Sequence, residues 1–193
     1  PYKTSTMQQD AINKLGWQVS KATSVAQHLY EGIKINGEHT ALISYPRTDS
    51  IRISENFVKK LKPYIIKRFG EKYYFERTFI NKGNSQNTQD AHEAIRVIDP
   101  TVTPESLRKL ITRDEYKLYK MIWVRTLAAF MAPSKFENVV VRLESNKNKF
   151  YTFNRRMVFD GFRIIYNPFE DVNTPHDIGL KKLKINELLK LDK

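Results

Sequence analysis

The residues best suited to chemistry sit together in Ile43-Ser44-Tyr45-Pro46-Arg47-Thr48-Asp49-Ser50. Tyr45 carries a phenol whose oxygen can attack phosphorus. Arg47, two residues on, carries a planar fork of donors matched to phosphate oxygens. An unperturbed tyrosine has a pKa of about 10, so roughly one in a thousand is phenolate at neutral pH, and attack needs a base or a nearby positive charge. Arg47 cannot be the base, because guanidinium keeps its proton; its fitting role is to hold a phosphate oxygen and offset charge in a pentacoordinate transition state. A second stretch, Gln89-Asp90-Ala91-His92-Glu93-Ala94-Ile95-Arg96, adds His92 and Glu93, both able to reach a phosphate or its bound water. Arg96 follows His92 by four residues and shares its face if the segment is helical. On spacing alone the plainer readings outweigh these. A strand-end tyrosine beside a surface cation and a polar pair at a helix terminus are both common.

Composition narrows the partners. The 193 residues, 40% of them apolar, are enough for one sizeable domain or two small ones with a real core. A formal net charge of +12 and a sequence pI near 9.7, with Lys and Arg spread throughout, favour a polyanion, nucleic acid first. No long apolar run and no signal-peptide pattern argues for a membrane, so a cytoplasmic location is expected. Without cysteine there is no disulfide framework and no thiolate metal site, and four scattered histidines offer no zinc spacing. Any metal here must be held by oxygen.

The elements that must position these residues follow in order. Ser5 with Gln8 reads as a capping box before Met7, Ala11, Ile12 and Leu15, with Gly16 as the stop. Ser20 reads as the cap of a second helix carrying Val25, Ala26, Leu29 and Tyr30 and ending at Gly32. Ile33-Lys34-Ile35, the Asn36-Gly37 turn and Ala41-Leu42-Ile43 then complete the outline of a helix-turn-helix with a wing hairpin, which puts Tyr45 at the exit of a strand. Ser54 caps a helix with a buried stripe of Phe57, Val58, Leu61, Ile65 and Phe69 and a wet basic face; Pro63 predicts a kink or a split into two helices. Residues 81–87 read as a loop. Thr103-Pro104 starts one helix, and Thr112 with Glu115 boxes another, the longest, whose Tyr119, Trp123 and Phe130 are core rather than base-stacking platforms. From Phe136 the period becomes alternating, with Val139, Val141 and Leu143 on one face. It predicts strands to Leu143 and over Lys149 to Val158, and a third over Phe162 to Tyr166 after an Asp160-Gly161 turn. Ile178 to Lys193 offers one more short strand or helix, and the abrupt start at Pro1 reads as an excised fragment.

Taken together, these blocks resemble the type IA DNA topoisomerases. The octet resembles the family's active-site Tyr-x-Arg-Thr-Asp-Ser motif. Pro1-Tyr2-Lys3-Thr4-Ser5-Thr6-Met7-Gln8-Gln9 is similar to the segment that opens the catalytic-tyrosine domain. Gln89 to Arg96 is similar to the His-Glu-Ala-Ile-Arg stretch, and Leu118 to Trp123 with Met131-Ala132-Pro133 to the helix that leaves that domain. The four blocks occur in the family's order across residues 1 to about 135. Pro46, where the bacterial topoisomerase I branch usually has methionine, is more like the topoisomerase III or reverse-gyrase style, while the His92 stretch favours topoisomerase I.

The resemblance implies an α+β chain: a mainly helical, winged-helix-like domain over residues 1–133 carrying the tyrosine, then an incomplete part of an antiparallel β gate domain over 134–193. It implies that Tyr45 and Arg47 are catalytic and that His92, Arg96, Thr48, Asp49 and Ser50 bind DNA. The reaction is cleavage and religation of one strand through a 5′-phosphotyrosine, without ATP. The expected partners are single-stranded DNA and the rest of the same polypeptide, with no membrane; the expected location is the bacterial cytoplasm, at the nucleoid. The family's magnesium belongs to an acidic Toprim domain that this chain lacks, so no metal is expected here, relaxation by this part alone is not expected, and Tyr45 is expected without a base in hydrogen-bond range. The competing reading is a winged-helix regulator that reads duplex DNA with its second helix.

Overall fold

The computed structural model describes residues 1–35, 37–80, 92–166 and 188, and its architecture is α+β, with helices and two separate antiparallel hairpins. Helix α1 spans Thr4–Leu15 and α2 spans Val19–Glu31. The caps expected at Ser5 and Ser20 are displaced: Lys3 precedes α1, its N–H donating to Thr6 Oγ1 at 3.0 Å, and Gln18 precedes α2. The first shift has a long-range cause. The N–H and hydroxyl of Thr4 are bound to the octet backbone, which draws the helix start forward to Thr4. Gly16, at φ 68°, closes α1 as expected, its N–H donating to Ile12 O at 3.0 Å. Ala11, Ala22 and Ala26 are fully buried, small enough to let the helices approach, and α2 packs on α1 and α5.

Strands β1 (Ile33–Ile35) and β2 (Glu38–Thr40) form a short hairpin, with Ile35 opposite Glu38, its second strand falling before the apolar run expected to form it. The apolar run Ala41-Leu42-Ile43 does not extend it. Leu42 N–H instead donates to Leu29 O at 2.8 Å, and Ile43 bridges Val97. Helix α3 spans Glu55–Phe69, capped by Ser54, whose hydroxyl accepts from Phe57 N–H. It is one helix through Pro63, so of the expected kink or split the split is not formed. Phe57 and Leu61 before the proline and Ile65 after it are all buried, so packing holds the stripe in line, while Pro63 and Lys59, whose carbonyl the proline cannot engage, are exposed to water. Lys60, Lys62 and Lys67 are exposed as expected, and Arg68 lies over the Trp123 ring, 5.3 Å from its centroid.

After a 3-10 turn at Glu71–Tyr73 come α4 (Pro104–Leu107) and α5 (Arg113–Ala128). The box at the head of α5 is present: Thr112 N–H donates to Glu115 Oε2 at 2.8 Å, and Glu115 N–H to Thr112 Oγ1 at 3.3 Å. Helix α5 is the centre of the core. Leu118, Tyr119, Ile122 and Leu127 are fully buried, and Trp123 and Phe130 nearly so. The two polar aromatics satisfy their tips inside, Tyr119 OH on Val102 O at 2.7 Å and Trp123 Nε1 on Pro100 O at 3.0 Å, as core aromatics must.

Strands β3 (Lys135–Ser145) and β4 (Asn148–Phe159) make one long ribbon. Asn146 and Lys147, at φ 48° and 67°, form the two-residue turn that a right-twisted ribbon requires. The third strand expected over Phe162 to Tyr166 is a short helix, α6 (Arg163–Tyr166). Gly161 explains the change. At φ 53° it passes so close to the chain at Ala132 and Pro133 that a Cβ would collide with their carbonyls. Phe162 N–H then donates to Ala132 O at 2.9 Å and Arg163 N–H to Asp160 O at 3.1 Å, so the chain coils back and buries Ile165 and Tyr166. The ribbon's root is fixed by Tyr73, whose hydroxyl donates to Asp160 Oδ1 at 2.8 Å and whose ring lies 5.0 Å from that of Phe159. Further out, Val139, Val140, Phe150 and Phe153 are exposed.

The expected loop over 81–87 and the element over 178–193 lie outside the described residues, Leu188 excepted. Among the described residues no helix is long and apolar enough to cross a membrane.

Candidate active site

Three segments far apart in sequence meet around the octet. Thr4 holds it from one side: its N–H donates to Thr48 O at 2.9 Å, its Oγ1 accepts from Thr48 N–H at 2.8 Å, and its hydroxyl hydrogen is shared between Pro46 O at 2.8 Å and Thr48 O at 3.1 Å. Ser44 holds it from the other. Its N–H donates to Arg96 O at 2.8 Å, its hydroxyl donates to Ala94 O at 2.7 Å, and its Oγ accepts from Arg96 N–H at 2.9 Å. Ala94 N–H reaches Arg52 O at 2.8 Å, and Ile95 bridges Tyr2. The octet and the His92 stretch are therefore one laced unit.

Removing the lace is expected to be costly. Ser44→Ala leaves Arg96 N–H and Ala94 O without their side-chain partner in a part-buried site, a loss of about 1–3 kcal/mol. Thermal unfolding of the variant against the parent measures it, and an unchanged midpoint would show that Ser44 is not the tie.

Tyr45 is half-buried between two rings. His92 stacks on one side at 4.5 Å between centroids with the planes tilted by 35°, and Tyr30 meets it edge-on at 5.3 Å and 71°. Among the described residues the Tyr45 hydroxyl has no hydrogen-bond partner, and Arg47, which is exposed, has neither hydrogen bond nor ion pair. A phenol and a cation thus stand two residues apart, neither with a described hydrogen-bond partner.

The other octet residues divide. Asp49 is exposed, but Thr48 and Ser50 are 7% and 3% exposed. Their hydroxyl oxygens accept from the backbone, Thr48 Oγ1 from Ser50 N–H at 3.0 Å and Ser50 Oγ from Arg52 N–H at 3.1 Å. The structure turns both toward shaping the loop.

The His92 stretch is extended, bridging Tyr2 through Ile95 and Ile43 through Val97, so the shared helical face for His92 and Arg96 is not formed. His92 is exposed. Arg96 turns inward: Nε donates to Glu93 Oε2 at 2.6 Å, Nη1 to Val97 O at 3.0 Å, and the guanidinium lies 4.1 Å from the Phe57 ring centroid. Burial works to raise the Glu93 pKa, but hydrogen bonds from Arg96 and Ser54 and the Arg96 charge outweigh it and hold the carboxyl below its usual value. Glu93 and Arg96 form a fixed pair that ties this stretch to the cap of α3.

Sequence reasoning passed over Thr4, Ser44 and Tyr30 as members of the site. Ser44 lies inside the octet, and its hydroxyl was the available signal. Among the described residues no three His, Asp or Glu side chains gather as metal ligands.

Comparison with known proteins places this α+β fold and its tyrosine-bearing octet in a family. A family model described as DNA topoisomerase matches residues 1–193, and the chain belongs to this family, on the side of the bacterial type IA topoisomerase I enzymes. It is 47% identical over 190 residues to DNA topoisomerase 1 of Mycoplasma pneumoniae, an alignment covering 96% of this chain and 27% of that protein. To DNA topoisomerase 1 of Fervidobacterium islandicum it is 38% identical over 191 residues, covering 97% and 27%. The structure of full-length topoisomerase I from Thermotoga maritima superposes with a TM-score of 0.78 at 36% identity, over 97% of this chain and 29% of that one. The chain spans between a quarter and a third of the length of these relatives.

Proposed function

We propose that this chain carries the cleaving tyrosine of a type IA DNA topoisomerase, which breaks and reseals one DNA strand to relax negative supercoils. The observation that carries the reading is the Tyr45 arrangement: a phenol held between His92 and Tyr30 with its hydroxyl unclaimed, beside a solvent-facing Arg47. The Tyr45 oxygen attacks the phosphorus of a single-stranded phosphodiester and gives up its proton. The bond from phosphorus to the 3′ oxygen breaks, that oxygen takes a proton, and the 5′ phosphate remains esterified to Tyr45. Arg47 holds a non-bridging oxygen and offsets charge as it builds. His92 lies against the attacking ring and contacts DNA beside it. Arg96, engaged by Glu93, orders this strand rather than presenting an open fork. After a second strand passes, attack by the 3′ hydroxyl reverses the step; no ATP is needed, because the phosphotyrosyl ester conserves the phosphodiester energy.

In this reading residues 1–133 form the tyrosine-bearing domain and 134–193 part of the gate. Magnesium and its acidic domain belong to the rest of the polypeptide, and this chain alone binds single-stranded DNA without relaxing supercoils. A regulator of the winged-helix kind leaves the Tyr45 arrangement without a task.

The test uses the full polypeptide, magnesium ion and an oligonucleotide labelled at its 3′ end. After denaturation the label is expected to travel with the protein and to map to the peptide containing Tyr45. A label mapped to another peptide, or carried only when the 5′ end is labelled, overturns the proposal.

A further inference from the structure

The geometry points to Tyr30 as a positioning residue for Tyr45, a role that rests on the reading of Tyr45 as nucleophile. Tyr30 sits on the last turn of α2 and is 37% exposed, so the core makes little use of it. Its ring contact is with Tyr45, edge-on at 5.3 Å, within the ordinary range for such pairs. The contact is fixed from both ends. On the Tyr30 side the neighbouring Leu29 is fully buried, and Gly32 N–H closes the helix on His28 O at 3.2 Å. On the Tyr45 side Leu42 N–H donates to that same Leu29, through its carbonyl, at 2.8 Å, and Ser44 is laced to residues 94–96. The backbone therefore places residue 30 beside residue 45 whatever the side chains are.

What the Tyr30 ring adds is a wall. With His92 also packed against it, the phenol of Tyr45 has two ring neighbours that restrict its orientation. No described hydrogen bond fixes that hydroxyl, so ring packing alone aims it. A nucleophile displaced by about 1 Å can lose on the order of 100-fold in rate. Tyr30 thus acts through Tyr45, and its own hydroxyl has no part in the chemistry.

The full polypeptide is assayed for the single-turnover rate of adduct formation and, separately, for non-covalent affinity toward the same single-stranded oligonucleotide. Tyr30→Ala is expected to slow adduct formation by about 10-fold or more while affinity changes by less than about 2-fold. Tyr30→Phe, which keeps the wall, is expected to restore the rate. A parental rate in Tyr30→Ala overturns the inference, as does a slow Tyr30→Phe or a drop in affinity that matches the drop in rate. Failure of the Tyr45 reading is separate, because it shows as an adduct that does not map to Tyr45 in the parent protein.

Discussion

Tyr45→Phe is expected to abolish covalent adduct formation, by at least about four orders of magnitude, in the full polypeptide with magnesium and single-stranded DNA. The structure makes this a clean substitution. Phenylalanine keeps the ring between His92 and Tyr30, and the oxygen removed has no hydrogen-bond partner among the described residues. Stability should therefore stay within about 0.5 kcal/mol of the parent, and DNA affinity should be nearly retained. A defect confined to the chemical step identifies the nucleophile. Equal adduct from the Tyr45→Phe protein and the parent would move the nucleophile elsewhere.

Arg47→Ala is expected to lower the rate of cleavage by about 100-fold to 1000-fold, the usual effect of removing a donor aimed at developing charge. Arg47 is exposed and has no described partner, so the change leaves the fold intact. Arg47→Lys should recover part of the rate but not all, because an ammonium supplies the charge without the two-pronged fork. Binding by Arg47→Ala should also become less salt-dependent, by roughly 0.7 in the logarithmic slope, because the variant neutralises one phosphate fewer on a single strand. Single-turnover cleavage and a salt titration measure both. A rate within twofold of the parent would remove Arg47 from the reaction.

The helices were legible in the sequence because each rule involved is local. Thr112 with Glu115, Ser54, Gly16 and the stripe of α5 act within one or two turns, and all stand where their spacing places them. The octet was legible as a block, but what its members do was not. Thr4 binds residues 42 and 44 positions away, and Ser44 binds residues 50 and 52 positions away. No periodicity reports such a pair. The same distance effect moved the start of α1 and turned Thr48 and Ser50 toward the backbone. The spacing of His92 and Arg96 suits a helix that the segment does not form; in the extended chain Glu93 is within reach of Arg96 instead. The run from Phe162 to Tyr166 was ambiguous by length, and the deciding feature, the close approach of Gly161 to Ala132, lies across the root of a ribbon.

That ribbon has a mechanical consequence. Its strands leave and return at one place, where Phe162 N–H donates to Ala132 O, Ala132 N–H to Tyr73 O and the Tyr73 hydroxyl to Asp160 Oδ1. The 11 residues of β3, at about 3.3 Å each, put the Asn146-Lys147 tip about 36 Å from that root. A rotation of about 10° at the root would carry the tip roughly 6 Å, by the same geometry. The ribbon is thus a long arm rooted beside Gly161, on the same body of helices that holds Tyr45.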